Sequence, residues 1–195
     1  LNKVTIVPRG QALGFAQFLP EGDRVSETFT KLESQLSTLF AGRIAEGLIF
    51  GEDKITTGAS SDIHRATQIA RAMVTQWGFS KELGPIFYQN EDGMGAIKGV
   101  SEESQKLIDT EMRKIICRNY NRAKQTLEDN IDILHAMKDA LLKYETLDRK
   151  QIDDLMARRP VGEPSGWNDK PTQGPSHNNK EETTEKPVRT DLESD

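Results

Sequence analysis

Asp62 stands in the stretch of the chain with the most chemical content, Thr56–Arg71, which reads TTGASSDIHRATQIAR. Gly58 permits a tight turn, two small polar residues lead on, and the carboxylate falls in the first turn of a predicted helix. Two readings are open. In one, the carboxylate answers the helix dipole and the unpaired N–H groups, an effect of about 0.3–1 kcal/mol. In the other it is a metal ligand held rigidly at a helix end, its second oxygen fixed by those same N–H groups. His64 follows two residues on, about 200° around a helix, so it does not join Asp62 on one ion. His135 lies inside an amphipathic helix, where packing or surface exposure accounts for it, and His177 lies in a polar tail. There is no HExxH, no GxSxG and no Cys–His pair of helix-mates. Taken alone, the residues give no complete catalytic constellation.

The elements that would carry these residues follow from periodicity. Lys3–Val7 (KVTIV) alternates and is β-branched; after a Pro8-Arg9-Gly10 turn, Leu13–Leu19 (LGFAQFL) alternates again. This predicts an antiparallel pair whose second strand is an open edge. Two strands are marginal alone, so they are expected to lie on helices or to join strands upstream of Leu1. From Thr28 to Phe50 the period lengthens to three and four residues, one buried helical stripe from Phe29 to Ile49. Gly42 and Gly47 cost about 1 kcal/mol each there, which suggests close helix–helix approach. Arg43 and Glu46, three apart, are expected to form a surface ion pair, with a subunit contact as the other reading.

A second helix is predicted from Ser60–Asp62 to Trp77, with Ile63, Ala66, Ala70, Met73 and Trp77 on one face and Gly78 as its stop. Gly84–Val100 reads as an irregular mobile loop, without the lysine-Ser/Thr ending of a phosphate cradle. Ser101 caps a long helix whose inner side carries Ile108, Met112, Ile115, Ile116, Tyr120 and Leu127. The chain restarts at Asp129 or Asn130. A last helix opens on Asp148 as N-cap, with Gln151 completing a capping box and Leu147 with Ile152 a hydrophobic staple.

The chain has 195 residues and a formal charge of −5, which gives no electrostatic footprint for nucleic acid. Its single cysteine, Cys117, excludes an internal disulfide framework and a Cys-based zinc finger; it is expected to pack in the long helix and stay reduced. No apolar run is long enough to span a membrane, and, because the sequence opens on a strand-like stretch, no signal peptide is expected. Leu1 is not an initiator methionine, so a piece of a longer protein is expected. Residues 160–195 hold four apolar side chains, Val161, Trp167, Val188 and Leu192, and five of the eight prolines. Residues 1–159 are therefore read as the domain and 160–195 as a disordered polar tail. The fold class is mainly α (α+β), a helical bundle with a small antiparallel β element.

The segments TTGASSDIHRAT and ARAMVTQWGFSKELGPIFY resemble the peptidase domain of the FtsH family of membrane-anchored, ATP-dependent zinc metalloproteases. So do KVTIVPRGQALGFAQFLPEGD, LESQLSTLFAGRIAE and RNYNRAKQTLEDNIDILHAMKDALLKYETL, in the family's order over about 155 residues. The resemblance implies one zinc held by two histidines of an HExxH helix and by the aspartate matching Asp62. Three protein ligands leave a fourth position for water, and the HExxH glutamate is the base. That helix is expected just upstream of Leu1, so this chain would supply one of three ligands and no catalytic base.

The resemblance also implies a homohexamer anchored at the cytoplasmic face of a bacterial inner membrane. ATP and magnesium would bind an ATPase domain outside this chain, and unfolded membrane or short-lived cytoplasmic proteins would be the substrates. Substrate could add to the edge strand through Leu13, Gly14, Phe15 and Ala16; an ordinary paired strand is the alternative. The rival for the whole chain is a non-catalytic helical oligomerisation module of an AAA+ ring protein.

Overall fold

The apolar stripe from Leu32 to Ile44 recurs every three or four residues, and in the computed structural model it forms one face of α1, Phe29–Phe50. The structure describes residues 1–10, 12–19, 22, 26–88 and 100–164. Thr28 caps α1 by accepting the Lys31 amide at 3.3 Å. Leu32, Leu36, Phe40 and Ile44 are buried against α2 (Ser60–Thr75) and α3 (Glu102–Asp129). Burial of each such side chain contributes about 1.5–3 kcal/mol. α2 adds Ala66, Ile69, Ala70, Met73 and Val74 to this core, and α3 adds Ile108, Met112, Ile115 and Ala123.

Asn119 is a polar member of the interior, 1% exposed, on a face predicted to be apolar. Its amide donates to the Ile115 carbonyl at 2.9 Å, and its side-chain oxygen accepts the Ser37 hydroxyl at 3.3 Å. The bond to Ser37 ties α3 to α1.

A second, smaller core lies at the other end of the chain. α4 (Ile131–Tyr144), β3 (Thr146–Asp148) and α5 (Arg149–Met156) bury Ala140, Tyr144, Leu147, Ile152 and Leu155 together. Asp148 and Gln151 form the expected capping box, with bonds of 2.9 and 3.1 Å between each side chain and the other's backbone amide. Leu147 and Ile152 are both buried beside it.

β1 (Lys3–Thr5) and β2 (Phe15–Gln17) pair antiparallel in the register Val4 to Ala16. Both are shorter than the alternating runs that predicted them. The third strand is β3, from downstream in sequence rather than from upstream of Leu1, and it pairs Val4 with Leu147. The order β2-β1-β3 leaves β2 at an edge. Thr5 locks the other side: its hydroxyl lies 2.7 Å from that of Thr146, and Ile6 donates its amide to the Glu145 carbonyl at 3.0 Å. Glu145 supplies that carbonyl from a left-handed turn (φ 59°) at the end of α4.

Several expectations change. α2 ends at Thr75, and Ile63 and Trp77 are 40% and 47% exposed, because the buried face runs instead through Ile69 and Val74. Gly78 (φ 64°) does turn the chain; a Cβ there would meet the Pro85 Cα at 2.9 Å. Gly42 makes no close helix contact, since a Cβ on it would meet nothing within 4 Å. A Cβ on Gly47 would meet the side chains of Ile55 and Glu52 just downstream, at 3.3 and 3.4 Å, and no packed α-helix. Cys117 is exposed rather than packed, because it falls on the outer side of α3.

Residues 1–162 form one compact unit. It runs three residues past the expected boundary, since Val161 packs on the smaller core and the Gln151 side-chain amide donates to the Gly162 carbonyl at 2.9 Å. Most of the 84–100 loop, Trp167, His177 and the tail beyond residue 164 lie outside the described residues. No described helix is long and apolar enough to cross a membrane.

Candidate functional site

The TTGASS stretch folds as a short 3₁₀ turn, Thr57–Ala59, that runs into α2 at Ser60. Thr56 starts the turn in an extended conformation, and its hydroxyl oxygen accepts the Gly58 amide at 3.2 Å. The Ser60 amide donates to the Thr57 carbonyl. These bonds satisfy N–H groups that an entering helix otherwise leaves open. Asp62 accepts neither of these amides, and no side chain caps α2. Neither version of the expected N–H bonding at Asp62 is found. Its carboxylate is half-buried, in the first turn, and makes no hydrogen bond or ion pair with the described residues.

Glu46 is the residue that sequence reasoning placed wrongly. It makes no ion pair with Arg43 among the described residues. Its carboxylate crosses from α1 to Thr56, accepting the amide at 2.9 Å and the hydroxyl at 3.0 and 3.2 Å. The amide first, then the hydroxyl, hold the Glu46 carboxyl below its ordinary value, while Arg43 contributes least. The i,i+3 spacing to Arg43 concealed this, because the true partner lies ten residues on and only the chain's reversal brings it near.

His64 points away from a site with Asp62 and hydrogen-bonds Gln68 on the exposed side of α2 at 2.9 Å. Among the described residues no three His, Cys, Asp or Glu side chains gather as a metal site. Asp62 fits a metal as one oxygen donor, and the described residues do not complete the set.

The edge-strand candidates divide. Leu13 is 83% exposed and Ala16 is exposed on β2. Phe15 is half-buried beneath the Arg9 guanidinium, 5.7 Å from its ring centre. Gly14 serves the backbone: a Cβ there would stand 2.6 Å from the Thr5 carbonyl oxygen. β2 pairs on one side only among the described residues, so its other edge can accept an extended chain.

Between α1 and α4 runs an apolar groove of about 570 Å³, floored by Ala45, Ile49, Met137 and Leu141 and reached by Ile6. Gly42 opens its wall, and Glu46 and His135 stand on it as polar members. The groove thus meets, at Glu46, the residue that holds the turn before Asp62.

The chain matches the sequence model of peptidase family M41 over residues 1–155. It is 55% identical over 194 residues to the ATP-dependent zinc metalloprotease FtsH of Haemophilus influenzae, covering 96% of this chain and 31% of that protein. Against the protein of the same name from Buchnera aphidicola subsp. Schizaphis graminum it is 55% identical over 173 residues, 85% of this chain and 28% of the relative. Against that of Rickettsia typhi the figures are 47% over 163 residues, 82% and 26%. The chain spans under a third of the length of these curated relatives. A match that runs from the β2 edge through the Asp62 turn to the Asp148 cap leaves one assignment: the chain belongs to peptidase family M41.

Proposed function

We propose that this chain is the Asp62-bearing part of the peptidase domain of an ATP-dependent zinc metalloprotease, the activity for which its relatives are named. The observation that carries the reading is the Asp62 carboxylate: half-buried, at the start of a helix and unengaged by the described residues, while the turn before it is held by the bonds of Thr56 and Ser60. A helix-start carboxylate commonly caps local N–H groups, whereas Asp62 accepts none from the described residues.

Asp62 acts as the third protein ligand, and two histidines and the general base come from an HExxH helix outside this chain. The bound zinc supplies a Lewis acid that brings a coordinated water's pKa toward neutrality. This chain's residues orient that arrangement: the Thr56 turn fixes where α2 begins, and the unpaired edge of β2 offers main-chain groups to an unfolded polypeptide. Phe15 and Ala16 lie on that edge, and Leu13 and Gly14 lead into it. An amphipathic helix laid in the α1–α4 groove would cover its apolar floor and lie beside Glu46, which supports placing the HExxH helix there.

The whole protein is a membrane-anchored homohexamer at the cytoplasmic face of a bacterial inner membrane. ATP and magnesium act at its ATPase domain, and it degrades membrane and short-lived cytoplasmic proteins. The compact domain of this chain ends near residue 162, and a polar tail follows. A non-catalytic oligomerisation module would have no use for an unengaged Asp62, which favours the protease.

Asp62→Asn in the whole protein tests this. ATP hydrolysis is expected to persist while proteolysis and bound zinc both fall. Undiminished proteolysis in that variant overturns the assignment.

A further inference from the structure

Glu46 lies one turn before the end of α1, two residues past the buried Ile44, so its backbone is fixed to the main core. From there its carboxylate grips both polar groups of Thr56, at 2.9 Å for the amide and 3.0 Å for the hydroxyl. The hydroxyl proton is committed to Glu46, so the Thr56 oxygen is free to accept the Gly58 amide, which it does at 3.2 Å. The same end of α1 is built against this loop a second time, where a Cβ on Gly47 would meet the Ile55 and Glu52 side chains at 3.3 and 3.4 Å. A rigid α1, a charged clasp, a hydroxyl relay and a closed 3₁₀ turn thus lead without a gap to Ser60, two residues before Asp62.

We infer that Glu46 is a positioning residue: through Thr56 and Gly58 it sets where α2 starts, and hence the direction in which the Asp62 carboxylate is presented. This rests on Asp62 being a zinc ligand. Groups that orient a ligand typically change metal affinity by about 10–100-fold when removed. Glu46→Ala removes the clasp. Thr56→Val removes the relay at nearly constant shape, and Thr56→Ser restores it. Because Glu46 and Thr56 belong to one link, their double variant should cost no more than the worse single variant.

The test uses the whole protein, with slow hydrogen exchange in the buried segment 108–123 of α3 as the control for folding of this domain. Zinc affinity is read by competition with a chelator, and hydrogen exchange of residues 52–62 is read in metal-free protein. Glu46→Ala and Thr56→Val are expected to weaken zinc binding about 10–100-fold and to speed exchange in that segment, while Thr56→Ser stays near the parent. Unchanged zinc affinity in Glu46→Ala, where Asp62→Asn lowers it, overturns the inference and leaves the ligand assignment standing. Unchanged affinity in Asp62→Asn removes the assignment itself. A loss in Glu46→Ala as large as in Asp62→Asn, with Thr56→Val unaffected, makes Glu46 a direct ligand and also overturns the positioning role.

Discussion

The Cα of Gly14 lies so close to Thr5 that a methyl group on it would stand 2.6 Å from the Thr5 carbonyl oxygen and 3.3 Å from the Ile6 Cα. Both are backbone atoms of the strand region that β3 holds from the other side, so neither yields cheaply. Gly14→Ala is expected to destabilise the chain by about 1–3 kcal/mol, seen as a lower urea midpoint. Leu13→Ser changes an 83% exposed side chain and should stay within about 0.5 kcal/mol. In the whole protein Leu13→Ser is nonetheless expected to slow degradation of an unfolded polypeptide; equal rates would separate Leu13 from substrate contact.

Asn119 is the polar hinge-pin of the main core, bonded to Ile115 and to Ser37. Ser37→Ala strands its buried oxygen and should cost about 1–3 kcal/mol. Chemical unfolding of the single variants and of Ser37→Ala with Asn119→Leu checks this. The double change, which removes both polar partners, should cost less than the sum of its parts.

Glu111 anchors the segment after α2. It accepts the Ser80 hydroxyl at 2.9 Å and the Lys114 ammonium at 2.7 Å, and Ser80 in turn accepts the Leu83 amide. The Lys114 bond first, and the Ser80 bond after it, hold the Glu111 carboxyl below its ordinary value. A lowered carboxyl value means stability that is complete above the unfolded value of about 4.3 and is lost as pH falls through the folded value. The parent should therefore lose stability on acidification below about pH 4 by a larger margin than Ser80→Ala. Thermal midpoints of both proteins between neutral pH and pH 3 provide the comparison; parallel curves would remove Ser80 from the cause.

A lone carboxylate offers zinc neither the ligand number nor the closed geometry of a tight site. The 195-residue chain by itself is expected to lose added zinc on gel filtration and to leave peptide bonds uncut. Stoichiometric zinc recovered with the protein peak would show a ligand set that Asp62 alone does not provide.

Local chemistry was legible in the residues. The Ser101 and Asp148 caps, the Gln151 partner, the Leu147–Ile152 staple and the Gly78 turn each depend on side chains within a few positions, so spacing alone specifies them. The β1–β2 pair was legible for the same reason, although its strands close to three residues each. Asp62 at a helix start followed from the Gly58 turn and the small residues before it.

Tertiary structure alone decided the rest, because the partners lie far apart in sequence or compete with nearer ones. β3 reads as part of a helix boundary until Val4 arrives beside Leu147. Asn119 looks like a polar intrusion until Ser37 meets it from α1. Arg43 was the nearer partner for Glu46, yet a flexible surface ion pair contributes little, and the folded loop offers Glu46 two directed donors on Thr56 instead. Hydrogen-bond direction across a chain reversal is absent from any one-dimensional pattern, and it is what fixes the turn that presents Asp62.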